Sequence, residues 1–157
     1  MTYFVPFDGS QLSQAALDRA TELAPSDEAT AAEADDAPAV RAFAVIPRGN
    51  VDWARQRDLI PDYPDMEYDA DRVADRIRSR AANVAPDASF EARFVGKRDV
   101  SGRVVSVIRQ RARAVEADVV VLGSENAGHV ATSITNVGPT VAADDAFDVF
   151  IVRRAGD

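Results

Sequence analysis

The sequence predicts an α/β fold: a doubly wound, parallel five-stranded sheet in strand order 3-2-1-4-5, with helices on both faces. Three observations lead there. Apolar runs of strand length alternate with amphipathic stretches of helical period along the whole chain. Val119-Val120-Val121-Leu122 is apolar on both faces, as suits a central parallel strand covered on each side. Pro, Gly and Asp punctuate the joins, and no internal repeat or linker divides the 157 residues, so a single domain over 1–157 is expected.

Thr2 to Phe7 reads as a short buried strand ending at Asp8-Gly9-Ser10. Pro6 cannot donate to a ladder and is tolerable only near the strand end. Ser10 is placed to cap a helix over Gln11 to Ala24, with Leu12, Ala16, Ala20 and Leu23 as its apolar stripe. Ser26 to Ala37 holds five carboxylates, no cation and no large apolar residue, which predicts a solvated loop. Pro38 to Ile46 is the second strand and Pro47 its stop. Arg48 to Pro64 reads as an irregular excursion with one helical turn around Trp53, and Trp53 itself as a local packing anchor.

Asp65 is the expected cap of a second helix, Met66 to Val84, whose stripe is Met66, Ala70, Val73, Ile77, Ala81 and Val84. Arg72, Arg76, Arg78 and Arg80 lie off that stripe and read as a solvated face pairing with Asp69, Asp71 and Asp75. Ala88 to Val95 alternates Phe90, Ala92 and Phe94, the pattern of a sheet edge with one wetter face. Val100 to Ala114 is the third helix, with Val100, Val104, Val107, Ile108 and Val115 inward. The fourth strand is Ala117 to Leu122, stopped by Gly123-Ser124. A short helix around Ser133 to Ala143 and a last strand, Phe147 to Arg153, complete the chain. The switch point falls between the first and fourth strands, so Asp8 faces Gly123 across the crevice where open α/β sheets take ligands.

The composition excludes several chemistries. With no cysteine there is no disulfide, thiolate metal site or cysteine nucleophile. The single histidine, His129, has no paired acid at a recognisable spacing and reads as a polar loop residue. Hydroxyls at Ser124, Thr132, Ser133 and Thr135 have no base beside them, so no acyl-transfer site is visible and a non-catalytic protein is expected. No metal site is expected either. No charge-free run reaches the ~20 residues of a membrane span. The N-terminus lacks a basic segment ahead of its apolar residues, which argues against a signal peptide and for the cytoplasm. The net charge of −8 argues against nucleic-acid binding, which leaves a basic footprint.

The opening strand with Asp8-Gly9-Ser10 and an Ala-rich helix, the stretch Ala117-Asp-Val-Val-Val-Leu-Gly-Ser124 and the closing Asp148-Val-Phe-Ile-Val-Arg-Arg154 resemble the universal stress protein (UspA-like) family. The resemblance implies an adenine nucleotide alpha hydrolase-like arrangement of the sheet, a role in stress response and a homodimer through the C-terminal strand. Nucleotide-binding members carry Gly-x-x-Gly, then nine residues, then Gly-Ser or Gly-Thr after the fourth strand. Those glycines let the backbone close on phosphates. Here Gly123 matches the first glycine and Leu122 the apolar residue before it, but Asn126 stands at the second and Asn136-Val137 at the Gly-Ser position. Gly128 and Gly138 lie two residues late, and Pro139 brings no amide donor.

The resemblance also places Asp8 near an adenine or ribose and Val45 at a base-contacting position. The implied site is therefore Asp8, Val45, Leu122, Gly123, Ser124, Gly128 and Gly138, with a degraded phosphate cradle. That implies a non-catalytic dimeric module with weak or no ATP binding. The alternatives are an ATP- or AMP-binding switch that uses Gly128 and Gly138 in a rearranged loop and, behind it, a slow nucleotide hydrolase. The acid excess, mostly Asp, with Lys97 as the only lysine among eighteen cations, resembles haloarchaeal cytoplasmic proteins and implies a halophilic source.

Overall fold

Period-two burial sorts almost every strand residue onto one of two faces of a single sheet. In the computed structural model, which describes residues 1–24, 39–60, 68–97, 101–123 and 146–154, the strands are β1 (Tyr3–Pro6), β2 (Val40–Pro47), β3 (Ser89–Val95), β4 (Val119–Gly123) and β5 (Asp148–Val152). All neighbouring pairs are parallel, and the order is β3-β2-β1-β4-β5, as the sequence predicts. The described helices are α1 (Gln11–Leu23), α2 (Val51–Gln56), α3 (Ala70–Val84) and α4 (Ser101–Ala114).

On one face Tyr3, Val5, Ala42, Ala44, Ile46 and Val121 pack with Ala16, Leu17 and Ala20 of α1 and with Val73, Ile77 and Ala81 of α3. On the other, Phe4, Phe43, Val45, Val120 and Leu122 pack with Val107, Ile108 and Ala112 of α4. Burying both faces requires strands that are apolar throughout, and β1 and β4 meet that requirement. β3 lies at the edge and is only half-buried along most of its length, with Phe90, Ala92 and Phe94 packed on one face and Val95 on the other. β5 is the opposite edge and leaves Val149 and Phe150 exposed.

Three local expectations change. The stripe of α1 is Ser13, Ala16, Leu17 and Ala20, and Leu23 is exposed. Ser13 is buried because its hydroxyl donates to the Ser10 carbonyl, which removes the cost of placing it inward. α3 starts at Ala70 rather than Met66, because the Asp69 carboxylate accepts from the Asp71 and Arg72 amides and so sets the first turn. Tyr68 lies just before it and donates to the Pro47 carbonyl at 2.9 Å. β4 runs one residue past Leu122, through Gly123, which pairs with Val152. The expected helix at 133–143 and the loop at 26–37 lie outside the described residues.

Gly123 has a packing reason. A Cβ there would sit 2.8–2.9 Å from the backbone and Cβ of Leu12, so the first turn of α1 presses directly on the β4 tip. Among the described residues, no helix is long and apolar enough to cross a membrane.

Candidate functional site

Asp8 follows β1 by two residues, beside the end of β4, at the switch point of the sheet. Gly9 takes φ +82°, a backbone conformation that turns the chain at little cost only for glycine, and Ser10 then caps α1 by accepting from the Ser13 amide. Asp8 is thus held on a rigid turn. Its Oδ1 accepts from the Ser10 amide at 3.0 Å, and its Oδ2 accepts from Nε of Arg57 at 2.8 Å.

Arg57 comes from the excursion after β2. Gly49 turns the chain at φ +70°, and Asn50 caps α2 through the Trp53 amide. Helical spacing brings Trp53 and Arg57 onto one face, four residues apart. The guanidinium lies 4.4 Å from the Trp53 ring centroid, and its Nη1 donates to the Trp53 carbonyl at 3.0 Å. The next residue, Asp58, has φ +53°, which turns the chain so that Leu59 drops fully into the core.

Two arginines of α3 pin this excursion over the β1 tip. Arg80 donates from Nη1 to the carbonyls of Gly9 (3.0 Å) and Arg57 (2.6 Å), and from Nη2 to that of Asp58 (2.7 Å). Arg76 donates to the Leu59 carbonyl at 2.6 Å. The acid pairing expected for these arginines therefore holds only for Arg72 and Arg78, which pair with Asp69 and Asp75, while Arg76 is exposed as expected but bonds a carbonyl and Arg80 is half-buried. Arg76 and Arg80 instead satisfy carbonyls that the tight turn leaves without helical partners. Trp53 is a packing anchor, as the sequence suggests, and is also the platform for Arg57.

The electrostatics follow from this geometry. Burial pushes the Asp8 carboxyl up, but the Arg57 charge and the hydrogen bonds from Ser10 outweigh it, so Asp8 titrates below its ordinary range. Asp8 is ionised and already partnered. Its side chain is 12 % exposed and that of Arg57 21 %.

Of the sequence-derived site, Asp8, Val45, Leu122 and Gly123 are described. Val45 and Leu122 are buried in the α4-facing core. Gly123 meets Leu12. Ser124, Gly128 and Gly138 lie outside the described residues, as does His129. Arg57 and Arg80 were not singled out as site residues by sequence. Their only sequence signals are the four-residue spacing of Trp53 and Arg57, and that of Arg76 and Arg80 on a flank without acids at matching spacing. Among the described residues, no group of three or more His, Asp or Glu side chains is placed to hold a metal. Compared with known proteins, the chain matches no family model and no curated protein.

The sign of the Asp8 contribution to stability is fixed by its lowered titration. Stability from the ionised form is fully present above the unfolded carboxylate range, near pH ~4, and is lost as pH falls through the folded value. Urea unfolding over a pH series should show Asp8→Asn less stable than wild type at neutral pH by about 1–2 kcal/mol, the pair being partly solvated. The gap should close as the pH falls below the carboxylate range. A gap of constant size at every pH contradicts the ion-pair account.

Proposed function

We propose that the chain is a universal stress protein-like, non-catalytic binding module of the cytoplasm, working as a homodimer, with weak or no affinity for ATP or AMP. One observation carries this reading: the acid at the switch point is filled by a side chain of the same molecule, Arg57, at 2.8 Å. A ligand reaching Asp8 must first displace a charge-assisted bond and a guanidinium that stacks on Trp53 and donates to its carbonyl, on an excursion that Arg76 and Arg80 hold in place. The sequence supports the same reading, since Asn126 and Asn136-Val137 stand where the family pattern has phosphate-cradling glycines and Glu125 adds a negative charge to that stretch of sequence.

The dimer rests on β5. This strand is the sheet edge, and it exposes about two-fifths of both Val149 and Phe150. An edge with free backbone groups and apolar side chains templates pairing with a second copy.

Titration calorimetry with ATP and with AMP should give no saturable heat at micromolar nucleotide. Tight, saturable binding that Asp8→Ala abolishes would overturn the weak-binding reading and establish the nucleotide switch instead. Light scattering should give twice the monomer mass, and Phe150→Asp should give the monomer. A monomeric wild type removes the dimer from the proposal.

A further inference from the structure

The surroundings of Arg57 form a receptor for a flat cation. Asp8 meets the edge of the guanidinium through Nε at 2.8 Å, the Trp53 ring covers its face at 4.4 Å, and the Trp53 carbonyl takes Nη1 at 3.0 Å. A carboxylate at the edge and an indole on the face suit a planar, weakly hydrated cation, whereas a compact ammonium is more strongly hydrated and has no plane to stack.

The receptor is built independently of its occupant. Asp8 is oriented by the Ser10 amide. The Trp53 backbone is fixed by the Asn50 cap, and its side chain packs against the core. The excursion is held through backbone carbonyls of Gly9, Arg57, Asp58 and Leu59, none of which depends on the Arg57 side chain. The niche is also reachable, since about a fifth of the Arg57 side chain faces solvent.

We infer that the Asp8–Trp53 niche is a binding site for a guanidino group, occupied in cis by Arg57, which acts as an internal competitor for a guanidino group supplied from outside. The external ligand is a small guanidino compound or an arginine side chain of a partner. Both share the chemistry that the niche reads. Because the internal group is tethered, its effective concentration is in the millimolar range or above, and an outside ligand binds only when Arg57 swings away. This inference does not depend on nucleotide binding.

Trp53 is the only tryptophan in the chain, so its fluorescence reports the niche directly. In the full-length Arg57→Ala protein, ethylguanidinium at millimolar concentration should give a saturable change in Trp53 emission. Ethylammonium should bind more weakly by about fivefold or more, lacking the stacked plane. Wild type should respond only at severalfold higher ethylguanidinium, as competition with the tethered Arg57 requires, and adding Asp8→Asn to Arg57→Ala should abolish the response. A short Gly-Arg-Gly peptide separates the sources: binding as tight as ethylguanidinium marks a partner side chain, and exclusion marks a small compound. Circular dichroism checks folding. Should Arg57→Ala not fold, Arg57→Gln, which keeps much of the side chain's length without its charge, takes its place in the same titration. No saturable change in a folded variant, equal response to ethylammonium, or a response that survives Asp8→Asn overturns the inference.

Discussion

The ion pair between Asp8 and Arg57 ties together parts of the chain that are otherwise separate. Asp8 belongs to the turn from β1 into α1, and Arg57 to the short helix after β2. Their contact lies where the excursion crosses the end of the central strand. The same excursion places Leu59 in the core and is held from α3 by Arg76 and Arg80, which donate to its carbonyls. Breaking the contact would leave a buried carboxylate with only Ser10 as its partner and a guanidinium with only a ring and a carbonyl.

The same contact governs what the crevice can do. Open parallel sheets present ligands with the ends of their strands, where backbone groups and helix starts converge. Here the acid at that place is ionised, buried and satisfied, while the glycine at the neighbouring strand end is pressed against the first turn of α1. Both features that mark a nucleotide crevice in the sequence thus have internal partners in the structure.

The fold was legible because its signals are local. Val119 to Leu122 reads as a central strand, and alternation at Phe90, Ala92 and Phe94 reads as an edge; both are where burial puts them. Where the reading slipped, a short-range competitor won. Asp69 captured two amides and started α3 four residues later than the apolar stripe implies. Ser13 entered the stripe of α1 because its hydroxyl had a carbonyl within reach. The partner of Asp8 was not legible. It lies 49 residues along the chain, and nothing in the periodicity of either segment encodes that meeting. Gly123 was visible as a strand-ending glycine, but its reason, the Leu12 backbone, belongs to the packing of another element.

A double-mutant cycle on Asp8→Asn and Arg57→Ala, read by urea unfolding at neutral pH, tests the central claim most directly. The account predicts that the two losses are not additive, with a coupling of about 1–2 kcal/mol that diminishes as the carboxylate protonates. Losses that simply add, at neutral as at acid pH, would mean that the two groups do not hold each other, and that the crevice is not closed from within.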